Sequence, residues 1–288
     1  MTKISVVLAV FNEENNLEDC LDSVRDLTDE IVIVDGGSTD NTVEIARKFN
    51  AKIIQTDNPP IFHINKQKAI DAANTEWILQ LDADERLTPV LVDEIKRVID
   101  MSNIELQKYQ INLSNKKLLL RHQEILEKRD GHIGTSKGEY TAFFIPRLNY
   151  FLGTFLKHGG VYPDGVIRLI KKGKTHFPCK SVHEQISVEG KVGWLQNDLL
   201  HYDSPTFGRY IKRNFRYIKL IVDELKRDQV GKNPVEFFNY CFIKPVEWFL
   251  LTLFRHKGIL DGIPGIIFSF FSALRFPRAY IRYLLNLN

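Results

Sequence analysis

The first hundred residues alternate between two hydrophobic periods. Ile4–Val10 is a near-continuous apolar run between Lys3 and the polar Asn12-Glu13-Glu14, as expected of a strand covered on both faces. Residues 15–24 carry Leu17, Leu21 and Val24 at helical spacing. Residues 31–34 form a second buried strand that ends at Asp35. Gly36-Gly37 then makes a turn, and Ser38 or Asp40 is placed to cap a helix reaching about Lys48. A third strand is predicted over Lys52–Gln55, a helix over 66–73, and a fourth strand over Trp77–Leu81, ending at Asp82. Thr88-Pro89 has the chemistry of a helix start, with Val92, Ile95 and Ile99 on one face. Repeated strand-helix-strand order predicts an α/β fold with a mostly parallel, doubly wound, Rossmann-like sheet and helices on both faces. Ligands of such sheets sit at the carboxyl ends of the strands, here marked by Asn12-Glu13, Asp35, Asp57 and Asp82-Ala83-Asp84.

Periodicity weakens over residues 101–140, where Lys-rich sequence such as Asn115-Lys116-Lys117 suggests an irregular excursion or one extra helix. Residues 141–204 read as strands and loops. After Pro205 the chain becomes helical and basic. The predicted organisation is one α/β domain over 1–204, in two segments, 1–100 and 101–204. A helical, amphipathic region follows over 205–288.

Charge adds one feature. The 288 residues carry a net of +3, but unevenly: residues 1–204 hold 25 Lys+Arg against 30 Asp+Glu, and residues 205–288 hold 14 against 6. An acidic body precedes a basic, aromatic-rich tail. Cys20, Cys179 and Cys241 have no CxxC spacing, which argues against a disulfide framework or Cys-based zinc site and for a reducing compartment. The N-terminal apolar run lacks a cleavage site and makes a poor signal peptide. With no uncharged apolar stretch of the length a bilayer requires, a membrane span is not predicted.

The strongest local chemistry is Asp82-Ala83-Asp84 after a buried strand. Two carboxylates at i and i+2 on a turn can share one hard cation, Mg2+ or Mn2+, and leave positions open for phosphate oxygens. The alternative is an acidic turn that only caps the following helix. Asp35, delivered by a strand to the crevice, suits recognition of a nucleobase N–H. Neither GxGxxG nor GxxxxGK[ST] occurs, which disfavours a dehydrogenase-type dinucleotide site and excludes a P-loop.

Four ordered blocks resemble glycosyltransferase family 2. They are Val7-Leu8-Ala9-Val10-Phe11-Asn12-Glu13-Glu14, Cys20-Leu21-Asp22-Ser23-Val24, Glu30 through Thr42 with Asp35-Gly36-Gly37-Ser38-Thr39-Asp40, and Leu81-Asp82-Ala83-Asp84-Glu85. One departure is Gly36, where many members have a second Asp. The resemblance implies the GT-A fold and an inverting enzyme that uses nucleotide-diphosphate sugars. It also implies roles: Phe11 flanking the base, Glu13 facing the ribose, and Asp35 accepting from uracil N3–H. Asp82 would lie near ribose and metal, and Asp84 on the metal that bridges the phosphates. Weaker blocks, including Ile145-Pro146-Arg147, Lys157-His158-Gly159-Gly160, Val182-His183-Glu184 and His201-Tyr202-Asp203, resemble the branch of lipopolysaccharide core β-glucosyltransferases. Members of that branch act on lipid-anchored glycans at the cytoplasmic face of the inner membrane. Glu184 resembles the general base.

The chemistry of inversion agrees with that assignment. A carboxylate must take the acceptor proton on the face opposite the leaving group, and a metal must neutralise the departing diphosphate. Asp164 and Glu139 compete with Glu184 as base. His201 is either a metal ligand or a structural histidine. Lys66 either reaches the donor or is a solvated helix lysine. Acceptor-side candidates are His158, Tyr162, Asp164, Arg168 and His183, with scaffold roles open for His158, His183 and His63 and a structural ion pair open for Arg168.

In the tail, Phe237-Phe238, Trp248-Phe249, Phe254, Phe268 and Phe270-Phe271 lie beside Arg275, Arg278 and Arg282, while Gly262-Ile263-Pro264-Gly265 breaks the segment. Residues 237–288 therefore suit in-plane helices at an anionic membrane surface, or else a helical layer on the core or in a dimer. Interleaved aromatics argue against a nucleic-acid footprint. The expected function is transfer of a sugar, with a UDP-sugar as donor, to a membrane-anchored glycan by a peripheral cytoplasmic enzyme. The alternative is a catalytically inactive, nucleotide-sugar-binding scaffold of a glycan assembly complex.

Overall fold

The computed structural model describes residues 2–180 and 185–287. The chain divides into two compact units, Met1–Arg147 with Pro163–His201, and Leu148–Tyr162 with Tyr202–Asn288. The boundary near 204 expected from sequence thus falls at 201/202, and a short hairpin segment from mid-chain joins the helical tail.

In the first unit the order is β1 (Ile4–Val10), α1 (Leu17–Asp22), β2 (Glu30–Asp35), α2 (Thr42–Lys48), β3 (Lys52–Gln55), α3 (His63–Ala72) and β4 (Trp77–Leu81). β5 (Glu85–Leu87), α4 (Pro89–Ile99), α5 (Asn103–Ile111) and α6 (Lys116–Asp130) follow. The remaining strands are β6 (Tyr140–Phe151), β7 (Thr154–Leu156), β8 (Asp164–Lys171), β9 (Thr175–His176), β10 (Ser187–Val188), β11 (Lys191–Trp194) and β12 (Leu199–Ser204). Sheet order runs β3-β2-β1-β4-β8-β6. The first four strands are parallel, whereas β8 is antiparallel to both β4 and β6. The sheet is therefore the α/β arrangement expected, with a parallel nucleotide-side half and a mixed second half.

Alternation along β1 explains why its sequence is apolar except at Ser5, near its start, whose buried hydroxyl bonds Glu30 and Thr75. Val6, Leu8 and Val10 pack with Leu17, Leu21, Ile45, Leu91 and Ile95 on one face. Val7 packs with Val32, Ile78, Ala69, Ile70 and Leu126 on the other. A strand buried on both faces has no position for a polar side chain except at its end. Truncating one of these residues, such as Leu8, removes about 2–5 kcal/mol.

Residues 101–140 form two helices rather than an irregular excursion. The start of α5 is a capping box: Ser102 Oγ accepts from Glu105 N–H, and the Glu105 carboxylate accepts from Ser102 N–H at 2.8 Å. This Ser-x-x-Glu signal is readable in the sequence. α5 is then tied to α4 by buried Glu94, which accepts from Tyr109 OH, Gln196 N–H and Asn197 N–H.

The second unit contains α7 (Phe207–Arg227), α8 (Pro234–Phe238), α9 (Lys244–Leu250), α10 (Gly262–Ala273) and α11 (Arg275–Leu284). π-helical turns at Asn239–Ile243 and Leu251–Arg255 continue α8 and α9. Ile218, Val222 and Leu225 of α7 pack with Tyr240, Ala279, Tyr280 and Tyr283. The expected break falls at Gly262, whose φ of 68° and ψ of −150° separate the turn at Gly258–Asp261 from α10. Pro264 stands where its missing N–H disrupts no intrahelical bond. Gly258–Leu284, 27 residues with a best-window hydropathy of 1.5, is long and apolar enough to cross a membrane by length and composition, although Asp261 and Arg275 bound its longest uncharged run.

Candidate active site

The carboxyl ends of β1 and β2 are joined by side chains. Asn12 adopts a left-handed φ of 54°, which an asparagine tolerates better than most residues. From there its N–H donates to Ser38 Oγ at 2.9 Å, and its Oδ1 accepts from Thr39 N–H at 2.8 Å. Neither Ser38 nor Asp40 is the N-cap of α2, which is Asn41; Asp40 accepts from Thr42 N–H at 3.0 Å just ahead of the helix. Asp35 is 1% exposed. Its carboxylate accepts from Gly37 N–H and Ser38 N–H at 3.2 and 3.1 Å, so the turn's own amides hold it still. Glu13 accepts from Asn16 Nδ2 at 2.7 Å, and Phe11 presents an exposed ring.

At the end of β4 the site is a charge network. Asp82 Oδ1 meets Lys66 Nζ at 2.5 Å, and Oδ2 accepts from Arg168 Nη2 at 2.5 Å. Its N–H donates to Glu85 Oε2 at 2.9 Å. Glu85 is completely buried and also accepts from Arg168 at 2.8 Å and Arg147 at 3.2 Å. Arg147 reaches on to Asp164 at 2.7 Å. Arg168 additionally donates to Gln80, a buried amide inside the apolar β4.

The charges of this network are fixed by their mutual fields. Burial by itself would raise the Asp82 carboxyl. Arg168, and after it Lys66, overcome that and hold it well below the usual carboxylate range. Burial pulls the Lys66 ammonium below its ordinary value, with Asp82 opposing. Arg147 is buried, which would lower it, yet Asp164 and Glu85 hold its guanidinium above the ordinary value.

Asp84 lies on the other side of the same turn, its carboxylate 3.6 Å from His201 Nε2. Antiparallel pairing of β12 with β5 sets His201 opposite Glu85 and so beside Asp84. Both side chains are largely buried. No group of three or more His, Cys, Asp or Glu side chains converges among the described residues. The protein's own donor set is thus one carboxylate oxygen and one imidazole nitrogen. That set fits Mg2+ or Mn2+, which commonly takes few protein ligands and completes its shell with phosphate oxygens and water. Asp82 differs from the expectation of a second open ligand, because each of its oxygens already faces a cationic side chain.

The structure therefore brings together Lys66, Asp82, Asp84, Asp164, Arg168 and His201, and adds Glu85, Arg147 and Gln80. Lys66 is buried, which removes the alternative of a solvated helix lysine. Glu85 and Arg147 belong to motifs quoted above, but no role was drawn for them; a carboxylate three residues after Asp82 and an arginine inside a strand were the available signals. His63 stacks on Phe177 at 4.6 Å, a packing role, and Glu139 is exposed. His158 and Tyr162 belong to the second unit. Glu184 and His183 lie outside the described residues.

The chain is 26% identical over 286 residues to an uncharacterized glycosyltransferase of Rickettsia typhi, covering 96% of this chain and 87% of that one. It is 26% identical over 289 residues to the lipopolysaccharide core biosynthesis glycosyltransferase LpsC of Rhizobium meliloti, covering 94% and 91%. Among solved structures, glucosyl-3-phosphoglycerate synthase from Mycobacterium tuberculosis matches with 24% identity and a TM-score of 0.32, over 35% of this chain and 41% of that one. The sequence model described as Glycosyl transferase family 2 matches residues 5–158, more than half of the protein. With that match spanning the strand ends that carry Asp35, Asp82 and Asp84, the chain belongs to glycosyl transferase family 2.

Proposed function

We propose that this family 2 glycosyltransferase moves a sugar, with inversion, from a nucleoside diphosphate sugar, a UDP-sugar foremost, to a lipid-linked or lipopolysaccharide-type glycan. The observation that carries the reading is the Asp84–His201 pair beside a fully wired Asp82 at the end of β4. Asp84 and His201 would hold Mg2+ or Mn2+, which neutralises the leaving diphosphate. Phe11, Glu13 and Asp35 bind the nucleoside, with Asp35 aimed by its own turn. Lys66 and Arg168 fix Asp82 toward the ribose and sugar side, so that little reorganisation accompanies charge development. Glu184 removes the acceptor proton, and His183, Asp164 and Arg168 form the acceptor side.

The helical unit supports a membrane-bound acceptor. Phe238, Phe242, Val246, Leu250 and Phe254 are each exposed and recur at a spacing of four. An α-helix turns about 100° per residue, so such a row drifts about 40° per step. The wider π-helical turns at Asn239–Ile243 and Leu251–Arg255 offset that drift and keep the row on one side. Arg278 and Arg282 stack at 4.9 and 6.0 Å from the exposed Phe215 ring, the mixture of cation and aromatic that suits an anionic leaflet. The enzyme then works as a peripheral protein on the cytoplasmic face of the inner membrane.

The test is incubation with labelled UDP-sugars, Mn2+ and a membrane lipid extract. Label should pass to lipid, and Asp84→Ala and Glu184→Gln should abolish the transfer. Tight UDP binding with neither transfer nor donor hydrolysis would replace this reading with the scaffold alternative. Unchanged turnover in Glu184→Gln would move the base to another carboxylate.

A further inference from the structure

Within the first unit, α6 lays one histidine against the backbone at the start of β8. Gly165 N–H donates to His122 Nε2 at 3.1 Å. A backbone amide only donates, so Nε2 carries a lone pair and the neutral ring keeps its proton on Nδ1. The ring also stands edge-on to Trp194, with centroids 6.0 Å apart and planes at 79°. Gln123, the next residue of α6, accepts from Trp194 Nε1 at 3.0 Å and so fixes the helix against β11. Glycine is required at 165, since a Cβ there would meet Trp194 Cη2 at 2.2 Å and His122 Cδ2 at 3.1 Å. Imidazole and indole thus close on the peptide that joins Asp164 to Gly165.

That peptide carries the outer end of the charge network. Asp164 stands opposite Arg147 in the β6–β8 ladder and pairs with it at 2.7 Å, and Arg147 reaches Glu85. The charged groups around the imidazole are Asp164 on β8, Arg147 on β6 and Arg129 on α6 itself, while β11 faces it with the uncharged Trp194. Burial pulls the His122 imidazole below its ordinary value, with Asp164 opposing and the two arginines assisting. A protonated ring would set an N–H against the Gly165 N–H, two donors face to face. It would also offer Asp164 a second cation in competition with Arg147.

We infer that His122 is a positioning residue for Asp164: while neutral it holds the Asp164–Gly165 peptide so that the carboxylate stays with Arg147, and on protonation it lets both go. Its effect on sugar transfer rests on the glycosyltransferase reading above, in which Asp164 belongs to the acceptor side.

The experiment compares the natural protein with His122→Gln and His122→Phe. A glutamine amide oxygen can take the place of Nε2 and accept from Gly165 without titrating. Phenylalanine fills the space of the ring and accepts nothing. In 15N-histidine spectra of the natural protein, Nε2 of His122 should be the unprotonated nitrogen at about pH 7.5, and the ring should titrate below about 6.5. The 13Cγ signal of Asp164 should move with the same midpoint, and His122→Gln should remove that step. Transfer to lipid extract should follow the same curve. One pH unit below the midpoint the natural protein keeps about a tenth of its rate, whereas His122→Gln keeps most of its own. His122→Phe should be about tenfold slower even at about pH 7.5, the effect of one lost hydrogen bond. A proton on Nε2 at that pH, or an Asp164 signal and acid limb indifferent to His122→Gln, overturns the assignment and leaves a packed histidine. A natural protein that neither transfers nor hydrolyses any UDP-sugar overturns the transferase reading instead, and the Asp164 signal then decides the role of His122 by itself.

Discussion

Replacing Arg168 by methionine tests the network at the end of β4 most directly. The guanidinium donates to Gln80, to Asp82 at 2.5 Å and to Glu85 at 2.8 Å. Glu85 has no exposed side-chain area, so without Arg168 it keeps only Arg147 at 3.2 Å and the Asp82 N–H at 2.9 Å. Removing one partner of a buried pair costs about 3–5 kcal/mol, because the remaining charge stays desolvated. Glu85→Gln loses charge-assisted bonds worth about 1.5–3 kcal/mol each, partly recovered by the amide. If the two groups stabilise each other, the double variant loses about 1–3 kcal/mol less than the sum of the singles. Urea unfolding followed through the buried Trp77 and Trp194 reports the first unit. Additivity within about 0.5 kcal/mol would refute the coupling, as would an Arg168→Met cost below about 1 kcal/mol.

Asp84→Ala and His201→Ala should each reduce transfer by about 100-fold or more, with His201→Ala partly restored by raised Mn2+; equal activity at all metal concentrations would exclude the pair as the metal site. Asp82, held below the usual range, contributes stability that is complete above its unfolded value of about 3.9 and is lost as pH falls through its folded value. Stability should therefore decline with acid below about pH 4, and Asp82→Asn should flatten that slope in denaturation series from pH 5 to 3. Glu94→Ala should cost about 2–3 kcal/mol, since Tyr109 and the backbone amides of Gln196 and Asn197 lose their shared acceptor; thermal unfolding at the natural midpoint would disprove it. Phe242→Glu or Leu250→Glu should abolish flotation with anionic liposomes while leaving circular dichroism unchanged, whereas Ile104→Glu, an exposed apolar position of the first unit, should have no effect.

The strands, and the polar residues that end them, were legible because both are local. A strand buried on both faces is apolar at most positions, so β1 and β4 stand out despite Ser5 and Gln80, and the polar residues that follow each strand mark the crevice. Asp35, Asp82 and Asp84 could be found that way, and the four ordered blocks sufficed for the family. The Ser102–Glu105 capping box was equally local and shows that the second pair of helices was readable in principle.

What tertiary structure decided is which distant charge meets which. Arg147 and Arg168 lie 62 and 83 residues from Glu85, and no period in the chain announces those pairs. They arise because β8 inserts antiparallel beside β4, and β6 beside β8. Antiparallel pairing of β12 with β5 in turn brings His201 to Asp84. The same long-range pairing turned Asp82 from an open carboxylate into one neutralised by Lys66 and Arg168. Sequence determines where carboxylates emerge from a sheet; only the assembled sheet decides which of them meet Lys66, Arg147 and Arg168, as Asp82, Glu85 and Asp164 do, and which meets an imidazole, as Asp84 does.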